Sequence, residues 1–304
     1  MKHVVNLMQL SGDEIRAILS CAAELKEFWR SGKREPLLQG RVLTQVFEKP
    51  SLRTRVSFEA AIGQLGGSSI FLSAQDAGFG GREHLADIAR VVGSYSDVIA
   101  LRTFKQAVID EFVQHARCSI INALSDDSHP CQALTDLFTI DECCGGLKGR
   151  RIAYVGDGNN VAVSLAEICA HLGVTLVIAA PVGYQLPESF LRELNAQFSD
   201  ADVSQVENPL EAVRGADVVY TDVWASMGQE SEKEKRNQVF APYQVNAKLM
   251  KAAGKNAKFM HCLPAKRGLE VTDDVLDSHQ SLAFEQAENR MHLAKGLLVW
   301  LLKS

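Results

Sequence analysis

Apolar positions recur at two spacings along the chain, and the spacing separates helices from strands. From Ile15 to Trp29 apolar residues follow at steps of three and four, and Ser11 with Glu14 forms a capping box ahead of them. Short β-type runs then alternate with amphipathic stretches. The strands expected are Val42–Phe47, Ser69–Ser73, Val98–Leu101 and Ser119–Leu124, and the helices Arg53–Leu65, Glu83–Tyr95, Gln106–His115 and Pro130–Cys143.

The same alternation starts again after Gly145 and Gly146, which favour the end of one helix and a new domain after about residue 143. The expected strands are Arg151–Val155, Thr175–Ala179, Val203–Val206, Val218–Thr221 and Phe259–His261, and the helices Val161–Leu172, Glu188–Gln197 and Leu210–Arg214. Segment 231–236 is expected to be a short charged loop. Alternating strands and helices predict an α/β fold with two doubly wound parallel-sheet domains.

The final helix, about Glu285 to Leu302, is too apolar to lie free, so it packs on one of the two sheets. With 304 residues, 46% hydrophobic and 23% charged, the chain has the composition of a globular protein of two domains. The net charge is −5, which argues against a generally basic, nucleic-acid-binding surface. Any anion site therefore needs a local group of cations.

Seven cysteines, an odd number without a C-x-x-C pair or a zinc-type spacing, favour reduced thiols. The N-terminus reaches polar residues before any apolar stretch is long enough for a signal peptide, and no apolar run is long enough to span a bilayer. We expect a cytoplasmic protein with no membrane role.

Compact polar clusters follow six of the expected strands, where parallel α/β sheets bind ligands. They read EKPSLRTR, RTF, SDDSHPCQ, GDGNN, DVWASMG and HCLPAKRG. In the first cluster, Ser51, Thr54 and an arginine meet at the start of a helix, which suits an anion such as phosphate. An ordinary serine cap with two solvated arginines is the alternative.

Three further residues strengthen the anion hypothesis. An unpartnered arginine at Arg102, after a buried strand, would be costly, and a bound anion would relieve that cost. His129 stands ahead of Pro130 at a helix start, where its imidazole can donate into the same crevice, with Gln132 close by. A lone histidine with a structural role is the alternative.

The G-D-G-N-N cluster at Gly156 suggests nucleotide binding, but it lacks the third glycine of G-x-G-x-x-G and the acid after the next strand. Both absences count against NAD. The loop Asp222 to Gly228 offers a carboxylate and a hydroxyl for an ammonium group, or is an acidic surface loop. His261 and Cys262 are adjacent on a strand and point to opposite faces, so covalent catalysis by cysteine is rejected.

Taken in order, these clusters resemble the aspartate/ornithine carbamoyltransferase family over nearly the whole chain. S-x-R-T-R at Ser51, R-T-F at Arg102 and H-P-x-Q at His129 match its carbamoyl phosphate site. D-x-W-x-S-M-G at Asp222 and H-C-L-P at His261 are absent from the aspartate-specific members and point to ornithine as acceptor.

The resemblance implies a carbamoyl phosphate domain of residues 1–143 plus 284–304 and an ornithine domain of 144–283, with the active site in the cleft between them. It also implies a homotrimer or a multiple of trimers. The carbamoyl phosphate residues it implies are Ser51, Leu52, Arg53, Thr54, Arg102, His129, Gln132 and Arg290, with Cys262 and Leu263 lining the reacting centre. Those implied for ornithine are Asn160, Asp222, Ser226 and Met227, and the catalytic set is Arg102, His129, Asp222 and Cys262.

Two positions depart from the family pattern. Leu52 stands where many members have threonine, which matters little if the backbone N–H does the work. Gly78 stands where members commonly have glutamine or histidine that reaches the neighbouring subunit, and Gln75 and Arg82 are the candidates to replace it.

Carbamoyl phosphate is an activated acyl donor, so we expect neither a metal nor an organic cofactor. No residue is an obvious general base, and the hypothesis is that ornithine binds with a neutral δ-amine and that phosphate takes the released proton. Putrescine or an N-acylated ornithine as acceptor, a nucleotide-binding oxidoreductase and a catalytically silent homologue remain as alternatives. Arginine synthesis is the expected role, although the sequence leaves citrulline breakdown open.

Overall fold

The computed structural model describes residues 1–81, 83–226 and 228–303. The chain divides into two compact units, Met1–Phe138 with Glu288–Ser304, and Thr139–Ala287. It passes from one unit to the other within two helices, Pro130–Cys144 and Ala283–Leu302.

The first unit contains a parallel sheet with the strand order β2-β1-β3-β4. Its strands are β1 (Val42–Phe47), β2 (Ser68–Ser73), β3 (Val98–Arg102) and β4 (Ser119–Leu124). Its helices are α1 (Gly12–Arg30), α2 (Leu52–Gln64), α3 (Leu85–Tyr95), α4 (Gln106–His115) and the start of α5 (Pro130–Cys144). The strand order reverses between β1 and β3, so the crevice at which such sheets bind ligands lies there.

The predicted start of α1 is confirmed in atomic detail. The Ser11 hydroxyl accepts the backbone N–H of Glu14 at 3.2 Å, and the Glu14 carboxylate accepts the N–H of Ser11 at 2.9 Å. The last helix, α12 (Ala283–Leu302), packs tightly on α1, because a Cβ at Gly296 would lie 2.7 Å from the backbone nitrogen of Ala22. The glycine permits this close approach of the two backbones.

The second unit contains a parallel sheet with the order β7-β6-β5-β8-β9. Its strands are β5 (Arg151–Val155), β6 (Thr175–Ala179), β7 (Val203–Val206), β8 (Val218–Thr221) and β9 (Lys258–His261). Its helices are α6 (Asn160–Leu172), α7 (Glu188–Gln197), α8 (Pro209–Ala212), α9 (Lys233–Phe240), α10 (Ala247–Ala253) and α11 (Asp273–Leu276). Here the strand order reverses between β5 and β8. Two parallel-sheet α/β domains, as predicted, are therefore confirmed.

The expected charged loop at 231–236 is wrong, because a short 3₁₀ turn at Glu230–Glu232 leads into helix α9. The buried residues of α9 are Arg236 and Phe240, so its inward face carries a cation and gives no apolar repeat. Helices α10 and α11 were not predicted either. Both are short, with seven and four residues, which is too few for a recognisable helical period.

Gly145 and Gly146 end α5, as the sequence predicts. Both adopt positive φ values, 73° and 106°, and the N–H of Gly146 donates to the carbonyl of Asp141 at 3.0 Å. This bond closes the last turn of the helix and satisfies one of its free carbonyl groups. Within the described ranges, no helix is long and apolar enough to cross a membrane.

Candidate active site

Three of the predicted polar clusters meet at one edge of the first sheet. The register pairs Phe47 at the end of β1 with Arg102 at the end of β3, and Arg102 with Leu124 at the end of β4. The segments that follow these residues, including Ser51–Arg55 and His129, therefore leave the sheet side by side. This edge includes the reversal point between β1 and β3.

Helix α2 begins at this edge with Ser51 as its cap. The Ser51 hydroxyl oxygen accepts the N–H of Thr54 at 3.2 Å, so its own proton remains available to donate to a ligand. Arg53 is half-buried in the first turn, and Leu52 has an exposed side chain. Arg55 instead pairs with Glu59 at 2.9 Å and lies over the ring of Phe71.

Arg290, from α12, is the cation that joins α2 to α5. It is buried, and its Nη2 donates to the Thr54 hydroxyl at 3.1 Å, while its Nη1 donates to the Gln132 side-chain oxygen. Gln132 in turn donates to Asp136 at 2.7 Å. Residues 54, 132 and 290, which are far apart in sequence, are thus held in one buried network.

His129 lies directly before α5 and is buried. Burial, together with the Arg290 and Arg102 guanidinium groups, holds the pKa of His129 well below 6.5. The imidazole is therefore neutral at physiological pH and can act as a hydrogen-bond donor. The effect of both arginines on the pKa also places Arg102, His129 and Arg290 in one neighbourhood.

The other three clusters meet at an edge of the second sheet. Tyr154 of β5 pairs with Tyr220 of β8, and Thr221 of β8 pairs with His261 of β9. The loops that carry Asn159, Asp222 and Cys262 therefore emerge together, at the reversal point between β5 and β8.

Asp222 is the centre of this second cluster and is buried. Its Oδ1 accepts the Cys262 thiol at 2.9 Å and the N–H of Val223 at 2.7 Å. Its Oδ2 accepts the Asn159 side-chain amide at 3.0 Å. Three donors thus fix the orientation of the carboxylate. Asn159 also caps α6, because its Oδ1 accepts the N–H groups of Val161 and Ala162.

His261 is oriented by its own pair of partners. Its Nδ1 accepts the N–H of Leu263 at 2.9 Å, so in the neutral ring the proton is on Nε2, which donates to Glu270 at 3.1 Å. Glu270 is fully buried and also accepts the N–H of Lys266. Because Nδ1 is occupied, His261 is not placed to take the proton of Cys262.

One ligand-type atom from each of Asp222, His261 and Cys262 lies within 4.8 Å of the others. These residue types bind zinc elsewhere. Here both ring nitrogens of His261 already have partners, and the thiol donates to Asp222. We therefore describe this group as a hydrogen-bonded cluster and assign no ion to it.

Two family models match the chain and together cover most of it. The carbamoyl-P binding domain of aspartate/ornithine carbamoyltransferase matches residues 2–142, and the Asp/Orn binding domain of the same family matches residues 148–301. The chain belongs to the aspartate/ornithine carbamoyltransferase family.

Several ornithine carbamoyltransferases are similar to this chain over nearly its whole length. The ornithine carbamoyltransferase of Anoxybacillus flavithermus is 48% identical over 303 residues, which is 99% of this chain and 96% of that relative. The structure of the Pyrococcus furiosus ornithine carbamoyltransferase has a TM-score of 0.96 and 45% identity and covers 100% of this chain and 97% of its own. The anabolic ornithine carbamoyltransferase of Campylobacter jejuni has a TM-score of 0.92 and 38% identity, with 99% of each chain covered.

The remaining predicted carbamoyltransferase site residues have less distinctive surroundings. Asn160, half-buried, is the first residue of α6, next to Asn159, which makes the bond to Asp222. The N–H of Ser226 donates to Gln229 at 3.0 Å, and Leu263 adopts a φ of 55°. A left-handed φ is costly for leucine and is characteristic of functional sites. Met227 lies outside the described residues.

Gly78 has a φ of 80°, which side-chain-bearing residues rarely adopt. A glutamine or histidine at this position would therefore need a different backbone from the one present here. Gln75 is exposed, and Arg82 lies outside the described residues.

Gly158, in the loop after β5, is required by packing within the chain. A Cβ at Gly158 would lie 2.7 Å from the nitrogen of Leu186, and the N–H of Gly158 donates to the carbonyl of Tyr184 at 2.7 Å. A side chain at Gly158 would therefore clash with this neighbouring loop, so packing within the chain accounts for the glycine.

Asn159 and Glu270 belong to the site, although the sequence pattern points to neither. The family resemblance points to the neighbouring Asn160. The position of Asn159 directly before the predicted helix, where a capping residue is expected, is the feature that could have indicated it. Glu270 follows His261 by nine positions, in a segment with no predicted element, so nothing in the local pattern brought it near the histidine.

Proposed function

We propose that this chain transfers the carbamoyl group of carbamoyl phosphate to the δ-amine of L-ornithine, giving L-citrulline and phosphate. The observation that carries the proposal is the network of Thr54, Gln132 and Arg290 with His129 and Arg102 beside it, at the ligand-binding edge of the first sheet. The matched family supports it, because its first domain is a carbamoyl-P binding domain.

The first unit binds carbamoyl phosphate in this proposal. Ser51, Arg53 and Arg290 hold the phosphate, together with the N–H groups at the start of α2, including that of Leu52. Thr54, Arg102 and His129 donate to the carbonyl oxygen, which becomes more negative as the amine attacks. Gln132 orients Arg290.

The neutral state of His129 suits this role. A protonated imidazole would add a third cation beside Arg102 and Arg290, whereas a neutral one donates a hydrogen bond without adding charge. His129 therefore polarises the carbonyl in our mechanism and transfers no proton.

The second unit binds ornithine. Asn160, Asp222, Ser226 and Met227 hold the amino-acid end, and Cys262 and Leu263 line the reacting centre. Cys262 orients the δ-amine, Asp222 holds the Cys262 thiol in place through their hydrogen bond, and Asn159 fixes the carboxylate of Asp222. The neutral δ-nitrogen forms a bond to the carbonyl carbon, the bond from that carbon to the phosphate oxygen breaks, and phosphate accepts the proton.

We also propose that the enzyme is a cytoplasmic homotrimer, or a multiple of trimers, acting in arginine synthesis. Leu52 and Val56 on α2, and Ile70 on the edge strand β2, are exposed apolar residues that a neighbouring subunit would cover. Sedimentation equilibrium would give three times the chain mass, or a multiple of it, and a monomer would contradict the assembly. The Pyrococcus furiosus relative carries the word anabolic in its name, which supports the synthetic direction.

Phosphate release from carbamoyl phosphate tests the acceptor. L-Ornithine should give turnover, whereas putrescine, N-acetylornithine and aspartate should give none above the rate without acceptor. Turnover with putrescine or N-acetylornithine instead would move the acceptor assignment, and a rate of phosphate release that L-ornithine does not raise would contradict transfer.

A further inference from the structure

Arg236 is a buried cation in α9 for which the proposed mechanism has no use. Its Nη1 donates to the Asp157 carboxylate at 2.7 Å and to the backbone carbonyl of Trp224 at 3.0 Å. Its Nε donates to Glu232 at 3.0 Å, and its guanidinium carbon lies 4.9 Å from the centre of the Tyr184 ring. These contacts belong to the second unit alone.

The two residues that share Nη1 come from different loops. Asp157 lies in the loop after β5, two residues before Asn159, and Trp224 lies in the loop after β8, two residues after Asp222. These loops are already joined once, by the bond from Asn159 to Asp222. Arg236 joins them a second time, through two residues that are not themselves proposed to contact ornithine.

The side chain of Trp224 gives the same loop a second contact with α9. The indole is buried and stacks on Phe240, with ring centres 6.0 Å apart, one turn of α9 after Arg236. Helix α9 therefore presents two side chains to the loop after β8, an aromatic ring and a guanidinium group.

The ion pair between Arg236 and Asp157 adds little net stability, because removing both charged groups from water costs free energy that offsets their attraction. Burial raises the pKa of Asp157, and the Arg236 charge counteracts this. A pair of apolar residues would fill the same volume without that cost. What the guanidinium adds is direction, because one planar group fixes a carboxylate and a carbonyl at set angles.

We propose that Arg236 is a positioning residue for the acceptor, which holds the loop carrying Asp222 and Ser226 against the loop carrying Asn159. The inference rests on the proposed function, since it assigns ornithine to these loops. It predicts that loss of the guanidinium weakens ornithine binding and leaves carbamoyl phosphate binding, which uses the first unit, unchanged.

Steady-state kinetics of Arg236→Gln provide the test. We expect the KM for ornithine to rise about tenfold to a hundredfold, while the KM for carbamoyl phosphate stays within about twofold. Arg192→Gln is the matched control, because Arg192 is an exposed arginine that pairs with a glutamate one turn away on α7. It should leave both constants unchanged.

A second set of variants separates positioning from stability. Arg236→Lys keeps the charge and should recover part of the ornithine affinity. Asp157→Asn alone should also raise the KM for ornithine. In the double variant Asp157→Asn with Arg236→Gln, the effect should be smaller than the two single effects combined, because both changes break the same ion pair. If Arg236→Gln does not fold, Arg236→Lys and Asp157→Asn carry the test.

The outcomes are distinct. An unchanged KM for ornithine in folded Arg236 variants, with only a lower melting temperature or a lower active fraction, would overturn the positioning role. A wild-type enzyme that does not use ornithine at all would instead overturn the proposed function, before any variant is compared.

Discussion

Arg53 and Arg55 are two residues apart on one helix and have different surroundings. Arg55 is committed to an ion pair with Glu59 at 2.9 Å and to the face of the Phe71 ring. Arg53 is half-buried in the first turn of α2, beside the cap residue Ser51. The motif alone does not distinguish the two arginines, since the difference arises from Glu59 and Phe71.

Replacing Arg53 with glutamine should abolish turnover and leave the fold intact, because the phosphate then loses a charge-assisted hydrogen bond. Isothermal calorimetry should show that carbamoyl phosphate binds at least about tenfold more weakly. Arg55→Gln, on the same helix, should bind carbamoyl phosphate as the wild type does. Unchanged binding to the Arg53 variant would remove Arg53 from the site.

His129 should make stability depend on pH in a definite direction. Its pKa is held well below 6.5 in the native protein by burial and by the two arginines, and returns to about 6.5 on unfolding. Below pH 6.5 the unfolded chain therefore binds a proton that the native protein does not, so stability is lost as the pH falls.

Urea unfolding of the wild type and of His129→Asn measures this effect. Between about pH 6.5 and 5.5, the wild type should lose up to about 1.4 kcal/mol per pH unit more than the variant, whereas the two curves should run parallel above pH 7. Parallel curves over the whole range would show that His129 titrates normally in the native protein.

At the scale of elements, two serine caps allow a matched comparison. Ser11 caps α1 through a capping box on the surface, and Ser51 caps α2 at the proposed phosphate site. Replacing either with alanine should lower the free energy of unfolding by about 1 kcal/mol. Only Ser51→Ala should also raise the KM for carbamoyl phosphate, because its hydroxyl proton is needed by the ligand. An equal kinetic effect in both variants would contradict this assignment.

The strands could be predicted because each is a short β-type run, and their carboxyl ends could be placed together because parallel strands share an edge. Helix α9 could not be predicted in this way, because its buried positions are Arg236 and Phe240, which do not form an apolar stripe. The pairing of Glu270 with His261 could not be predicted, because it depends on the path of a segment with no regular structure.

At the scale of the whole molecule, a net charge of −5 says nothing about the substrate. Arg102 and Arg290 are brought beside His129 from segments far apart in the chain, so the cations are concentrated locally. This local group of cations suits the binding of anionic carbamoyl phosphate. It does not remove the proton from the δ-amine of ornithine.

The amine should therefore control the pH dependence of the reaction. An unperturbed δ-amine has a pKa of about 10.4. Below that value, its neutral fraction grows about tenfold with each unit by which the pH rises. With saturating carbamoyl phosphate, kcat/KM for ornithine should rise steeply between about pH 6 and 8. A flat profile in this range would show that the enzyme does not select the neutral amine.

The identity of the product tests the central claim most directly. The purified protein should be incubated with carbamoyl phosphate and L-ornithine, and citrulline and phosphate should be measured in the same sample by mass spectrometry and a colorimetric assay. We predict that both form in equal amounts above the background measured without the protein. Protein-dependent phosphate release without citrulline, or no reaction at all, would contradict carbamoyl transfer to ornithine.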